Sequence, residues 1–318
     1  MVAGDPLRLV FFGTPEFAVP TLDALLRSRH ALVGVVTQPD RPRGRGQKTT
    51  DAPVKARALA ERLPLLQPER LGDPAFVAAL AGLRADLGVV AAYGKILTDT
   101  ALATPRLGLL NVHASLLPRY RGAAPVHRAV INGERETGVT IMRVVKALDA
   151  GPMLAKASRP IGPDDTSEEV ERDLARLGAD LLVSTLDALA AGRVRETPQD
   201  EAAATYAPRL TKDEGLIDWA CSAQQIHDLI RGLRPWPHAS TWLAGQRVIV
   251  LQSTMSSQSP AAPPGTILEA AGDRLRVATG AGIVKLVEIQ PEGKRPMTVR
   301  DFLAGHRIFQ GDIFMSRP

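Results

Sequence analysis

The chain has 318 residues, 45% of them hydrophobic and 23% charged, which suits two ordinary globular domains. No apolar run is long enough to cross a bilayer and the opening residues have no signal-peptide pattern, so neither a membrane segment nor secretion is expected, and a reducing cytoplasm fits. A single cysteine, Cys221, excludes an internal disulfide and a CxxC site, and a net charge of +5 permits a polyanionic partner without requiring one.

Residues 7–12 are an apolar run closed by Gly13-Thr14-Pro15, and Phe17, Leu22, Leu25 and Leu26 then recur at helical spacing. The pattern predicts strand, turn and helix. Further apolar runs at 31–37, 87–91 and 108–112 alternate with helical segments such as 53–62. Strands that are apolar on both faces predict a parallel sheet covered on both sides. Later strands are expected at 136–144 and 153–161, and a long helix over 167–190 closes this first domain. Residues 192–208 are polar and aperiodic and suit a connector. Beyond them a helix at 222–232 precedes several short runs separated by Gly, Pro and Ser, the texture of a small antiparallel barrel of the OB type. The expected fold is therefore an α/β, Rossmann-like, doubly wound and mostly parallel sheet domain (1–191), a linker (192–210) and an OB-like C-terminal domain (211–318). Trp236, between Pro235 and Pro237, could be an exposed stacking platform, but in so aromatic-poor a chain the favoured reading puts Trp219, Trp236 and Trp242 in the core.

The first turn does not carry a dinucleotide fingerprint. Residues 13–18 supply one glycine where GxGxxG needs three, and no phosphate loop of the GxxxxGK[ST] type is present. Asn111 and His113 are more informative, because residues two apart on a strand project from the same face and ligands of open α/β sheets bind beyond the carboxyl ends of the strands. On these residues alone, a hydrogen-bonded pair closing a strand and a reactive pair remain equally open. The following Ser115-Leu116-Leu117-Pro118 mixes backbone polar groups with apolar side chains and suits a flat heteroaromatic ligand. Asp149, within Leu148-Asp149-Ala150-Gly151, reads by itself as a turn former, and gains interest only beside a histidine. The segment 38–48 concentrates Arg41, Arg43, Arg45 and Lys48 between prolines and glycines, which fits either a solvated loop or an RNA contact made by guanidinium stacking and phosphate pairing.

Several segments together carry a resemblance: Phe12-Gly13-Thr14-Pro15, Gln38-Pro39-Asp40-Arg41-Pro42, residues 92–97, Asn111-Val112-His113 with Ser115-Leu116-Leu117-Pro118, residues 121–125, residues 136–142, Leu148-Asp149-Ala150-Gly151, Ile217-Asp218-Trp219 and Arg234-Pro235-Trp236-Pro237. The chain resembles the methionyl-tRNA formyltransferases, of the 10-formyltetrahydrofolate transformylases, over nearly its whole length. That resemblance implies transfer of a formyl group from 10-formyltetrahydrofolate, a co-substrate, to the α-amino group of methionyl initiator tRNA. It implies Asn111, His113 and Asp149 as catalytic residues. Ser115, Leu116, Leu117 and Pro118, with the strip Tyr93, Gly94, Lys95, Ile96 and Leu97, would face the tetrahydrofolate. Arg41, Arg43, Arg45 and Lys48 would meet the tRNA, with Arg45 matching an arginine that enters the acceptor end; an arginine at position 43, where a small residue is common, leaves the division of labour open. No metal is expected, since the six histidines show no HxxxH or HExxH spacing, and a monomer is expected. Two other functions stay in view: a folate-dependent formyltransferase with a different amine acceptor, and a noncatalytic RNA-binding protein, which would leave Asn111, His113 and Asp149 without a purpose.

Overall fold

The computed structural model describes residues 4–40, 42, 43, 48, 49 and 51–317, with the backbone alone at 42, 43, 48 and 49. It separates into two compact units. The first comprises residues up to 122, 137–159 and 171–206, and the second comprises 123–136, 160–170 and 207 onward.

The first unit is built on a seven-stranded sheet. Its strands are β1 (Arg8–Gly13), β2 (Ala31–Val36), β3 (Leu65–Leu66), β4 (Leu87–Ala91), β5 (Leu109–His113), β6 (Glu136–Arg143) and β7 (Met153–Pro160), in spatial order β7-β6-β5-β4-β1-β2-β3. From β3 to β5 all neighbours are parallel, and β6 runs antiparallel to β5. The chain first steps outward from β1 to β3 and then returns to the other side of β1 as β4. The β1/β4 junction is thus the switch point where such sheets open a crevice at their carboxyl ends. Successive residues of β1 explain the burial. Val10 and Phe12 join Val36, Phe76, Leu80, Tyr93 and Leu109 in one core layer, while Leu9 and Phe11, equally buried, face the other side.

Helices Val19–Arg27, Pro53–Ala60 and Pro74–Gly82 connect the parallel strands. The last starts from an Asp73 cap whose carboxylate accepts the Ala75 N–H. The 24-residue helix Ser167–Ala190 spans the range its periodicity predicts. Gly178 lets it lie directly on the sheet, because a Cβ there would sit 2.7 Å from Val112 Cγ1, behind the residue that separates Asn111 from His113.

The second unit holds an antiparallel sheet of β8 (Ala239–Leu243), β9 (Gln246–Ser256), β10 (Ile267–Ala271), β11 (Arg274–Ala278), β12 (Ile283–Pro291), β13 (Met297–Thr298) and β14 (Phe314–Met315). Its order is β10-β11-β12-β9-β8-β14, with β13 on β12. Register shifts between Val250 and Ser253 bend β9, as bulges do. The two edges then meet: Phe314 N–H donates to Gly265 O at 2.8 Å and Ile267 N–H to Asp312 O at 2.8 Å. The curled OB-like sheet encloses Val250, Val277, Leu286, Ile289 and Phe314 together with Ile226 and Ile230 of helix Ala223–Gly232. Trp219 stacks on Phe314 at 5.6 Å and donates its indole N–H to Thr241 Oγ1 at 2.9 Å. Trp219 is in the core as expected, but Trp236, between two prolines, is 48% exposed. Among the described residues no helix is long and apolar enough to cross a membrane.

Candidate active site

β5 ends with Asn111 and His113 on one face, because alternate residues of a strand point the same way. His113 is buried, and its Nε2 lies 3.0 Å from the Tyr120 carbonyl. A carbonyl only accepts, so Nε2 carries a proton. The ring's Nδ1 is 3.7 Å from Asp149 Oδ2. The three residues foreseen as a set thus divide into a close His113–Asp149 pair and, one alternation back along the strand, the half-buried Asn111. Among the described residues the Asn111 amide has no hydrogen-bond partner in the protein. A donor with both N–H groups uncommitted beside a histidine–carboxylate pair can receive a developing oxyanion.

Asp149 sits at φ +48°, in the left-handed region that costs a non-glycine residue about 1–3 kcal/mol. Three hydrogen bonds hold it there. Gly122 N–H donates to its carboxylate at 2.9 Å, and the Gln199 amide donates to the carbonyls of Asp149 (2.7 Å) and Gly151 (2.8 Å). Gln199 Oε1 in turn accepts from Arg121 Nε at 3.0 Å and Nη2 at 2.8 Å, and Arg121, almost wholly buried, also pairs with both oxygens of Glu201 at 2.7 and 2.9 Å. The pairing with Glu201 raises the Arg121 pKa and lowers that of Glu201, so both stay charged. Gly151 completes the turn where a Cβ would lie 1.9 Å from Arg143 O.

The segment Ser115–Pro118 follows β5 directly. Ser115 is buried with its hydroxyl donating to Arg119 O at 2.6 Å, and Leu117 is buried with its N–H on Thr140 Oγ1 at 3.1 Å. Leu116 and Pro118 are half-exposed, and Lys156 Nζ donates to the Leu117 carbonyl. Burial pushes the Lys156 ammonium below the ordinary lysine value. Thr140, opposite His113 in the β5/β6 register, closes this corner by donating to Ser115 O at 2.7 Å. Its part was not evident in the sequence, where it is one more β-branched residue of a strand.

The strip 93–97 leaves the carboxyl end of β4 at the switch point. Tyr93 turns its ring into the core, T-shaped to Phe12 at 5.7 Å, and burial raises its phenol to about 12. Its carbonyl accepts from Gln38 Nε2 at 2.7 Å and Thr14 Oγ1 at 3.3 Å. Gly94 is exposed at φ +79°, and Lys95 donates to the Pro68 and Glu69 carbonyls, both at 3.0 Å. Leu97 is half-buried and Ile96 is 88% exposed. Lys146 meets Asp99 at 3.2 Å, which brings the loop carrying exposed Val145 and Leu148 against the end of this strip. Uncovered apolar side chains therefore lie on both segments, Leu148 being the chain neighbour of Asp149.

Arg41 and Arg45 lie outside the described residues. For Arg43 and Lys48 the backbone pairs in a short antiparallel ribbon. The described residues flanking this segment are braced: Lys55 reaches Asp40 at 2.5 Å and Asp51 at 2.8 Å. Among the described residues no group of three or more His, Cys, Asp or Glu side chains is placed to hold a metal ion.

Comparison with known proteins decides the family. Residues 7–186 match the model of the formyl transferases and residues 209–307 that of the formyl transferase C-terminal domain. The methionyl-tRNA formyltransferase of Roseiflexus sp. (strain RS-1) is 47% identical over 96% of this chain and 95% of its own length. The chain belongs to the methionyl-tRNA formyltransferase family. The Methylococcus capsulatus member of that family is 48% identical over 95% of this chain and 98% of its own. Among solved structures, the N-formyltransferase from Helicobacter canadensis, in complex with folinic acid and dTDP-3-aminofucose, shares the fold at a TM-score of 0.67 and 16% identity, over 88% of this chain and 99% of that one. This is a formyl-transferring enzyme, and the Asn111, His113 and Asp149 group is its candidate centre.

Proposed function

We propose that the chain transfers the formyl group of 10-formyltetrahydrofolate to the α-amino group of methionyl initiator tRNA, acting in the cytoplasm as a monomer. The observation that carries the reading is the uncommitted Asn111 amide beside the His113–Asp149 pair, at the carboxyl end of a sheet strand in a chain of this family. Attack of the amine on the formyl carbon creates an oxyanion, the attacking nitrogen must lose a proton, and the leaving nitrogen must gain one. Asn111 donates to the oxyanion without changing its own charge. His113, held by the Tyr120 carbonyl, presents Nδ1 toward Asp149, and this pair carries the proton between the two nitrogens.

The folate contact is assigned to the 93–97 strip and to Ser115–Pro118. With Tyr93, Ser115 and Leu117 buried, their contribution to a ligand is support, while Ile96, Leu97, Leu116 and Pro118 supply apolar surface to a flat ring. Arg41, Arg43, Arg45 and Lys48 are assigned to the tRNA. The functional division we adopt is catalysis in 1–191, a connector at 192–210 and tRNA binding in 211–318. The test is formylation of methionyl initiator tRNA by the purified chain with 10-formyltetrahydrofolate. Formyl-methionyl-tRNA is expected; formylation of glycinamide ribonucleotide or an amino sugar with none of the tRNA would overturn the acceptor, and binding of tRNA without turnover would favour the noncatalytic reading.

A further inference from the structure

We propose that Gln199 is a positioning residue for Asp149, so that the polar segment after the long helix completes the centre instead of merely leaving it. The inference rests on the reading of Asp149 as part of the catalytic group.

The segment returns to the first unit at three places. Met153 and Thr197 exchange backbone bonds at 2.8 and 2.9 Å, Gln199 and Glu201 enclose Arg121, and Thr205 accepts from the Arg121 N–H at 2.8 Å through its carbonyl and from the Tyr120 N–H at 2.9 Å through its hydroxyl. Residues 197–205 thus strap the loop that supplies the His113 acceptor, the Tyr120 carbonyl. Within the strap Gln199 has a particular assignment. Both amide hydrogens go to carbonyls of the Asp149 turn, one of them the carbonyl of Asp149 itself. Its oxygen takes two donors of a buried arginine whose own neighbour, Gly122, holds the Asp149 carboxylate. Backbone and side chain of Asp149 are therefore fixed from one Arg121–Gln199 unit, in a left-handed conformation that a non-glycine residue keeps only when it is held.

The chemistry explains why the residue is glutamine. Two acceptors on the turn and two donors on the guanidinium require one short group with a pair of N–H donors and an acceptor, which the carboxamide provides. Glutamate keeps the acceptor for Arg121 but loses both donors. Methionine keeps the length without adding charge and also loses the donors. A shift of about 1 Å in a reacting group typically costs about 100-fold in rate, so loss of the donors should reduce kcat by about 10- to 100-fold. Neither substrate is expected to touch Gln199, and both KM values should stay within about twofold.

The experiment measures kcat and both KM values for the full-length Gln199→Glu, Gln199→Met and Asp149→Ala variants and for Asp149→Ala combined with each Gln199 change. If Gln199 acts through Asp149, the single Gln199 variants lose kcat selectively, agree with each other, and add less than about threefold once Asp149 is gone, because coupled residues are not additive. Near-wild-type turnover of Gln199→Glu beside a crippled Asp149→Ala overturns the inference and leaves the Asp149 reading standing. The same loss with and without Asp149 also overturns it, as the mark of general disruption. Full turnover by Asp149→Ala alone removes the Asp149 reading, and the inference with it.

Discussion

Each unit contains a buried histidine next to acidic residues, and the two are used in opposite ways. His227, in the second unit, has both nitrogens engaged: Nδ1 with Ser253 Oγ at 3.0 Å, and Nε2 with the Pro163 carbonyl at 3.0 Å and the Asp164 carboxylate at 3.3 Å. One turn on, Arg231 pairs with buried Asp228 at 2.7 Å and donates to the Asp165 carbonyl at 2.9 Å. This cluster sews residues 160–170 to the helix and has no capacity left over. In the first unit, His113 spends only Nε2, faces Asp149 across 3.7 Å with Nδ1, and stands beside an Asn111 amide with no partner among the described residues. Satisfied polar groups mark a joint, and uncommitted ones at a half-buried position leave hydrogen bonds for water or a ligand to fill.

Breaking the joint should give the largest effect. Asp228→Ala leaves the Arg231 guanidinium buried without its carboxylate, a loss worth about 3–5 kcal/mol. Urea denaturation should show that destabilisation, while the folded fraction keeps near-normal kcat. A stable Asp228→Ala with crippled turnover would erase the distinction between the clusters.

The site should respond in the reverse sense. Asn111→Ala, His113→Ala and Asp149→Ala are expected to lower kcat by about 10²- to 10³-fold each, the usual cost of losing a group that acts mainly in the transition state. The stability change should be small for Asn111, whose amide has no partner to lose among the described residues. Steady-state kinetics and thermal melts on the same preparations decide it, and normal turnover by His113→Ala at saturating substrates would end its catalytic assignment.

These contrasts show where the sequence was legible. The Asn-x-His pair could be placed at a strand end because the β5 run is apolar and short, and strand alternation brought the two side chains to one face. The long helix 167–190 was readable from Val170, Leu174, Leu177, Leu181 and Leu182, of which Val170, Leu174 and Leu182 are buried and Leu177 and Leu181 half-buried. The helix Pro74–Gly82 was not. It is apolar nearly all round, PAFVAALAG, and so has no amphipathic period. Helix Pro125–Ile131 is too short to show one. Gln199 was hidden for a different reason: its partner Arg121 is 78 positions away and neither lies in a periodic element, so the polar stretch read only as a connector. Trp236 misled because average burial of tryptophan says nothing about one held between two prolines.

Arg45, outside the described residues, is assigned to the tRNA and not to either cluster. If it enters the acceptor end of the tRNA, Arg45→Ala should lower kcat/KM for methionyl-tRNA by about tenfold or more, as loss of one stacking guanidinium contact does, with folate affinity unchanged. Lysine should restore part of the loss. A charge-only role predicts instead that Arg45→Lys matches wild type and that Arg41→Ala and Arg43→Ala do equal damage, each flattening the salt dependence by about one unit.

The smallest effect concerns a third histidine, intermediate between the two clusters. Buried His30 accepts the Leu7 N–H on Nδ1 at 3.0 Å, so its proton sits on Nε2, 3.4 Å from Asp187. Burial lowers its pKa below 6.5, opposed by Asp187 and assisted by Arg29, which is itself paired with that carboxylate. His127 and His238 are lowered as well, chiefly by burial. Below the ordinary histidine value the unfolded chain therefore binds more protons than the folded one. The neutral rings contribute their full stability above pH 6.5, and that contribution is lost as the pH falls toward their lowered values. Stability measured by denaturant titration should decline on acidification across this window. His30→Asn keeps an acceptor for Leu7 without a titrating ring, so its decline should be shallower than that of the wild type. An identical slope in the variant would mean that His30 is not a source of the acid sensitivity.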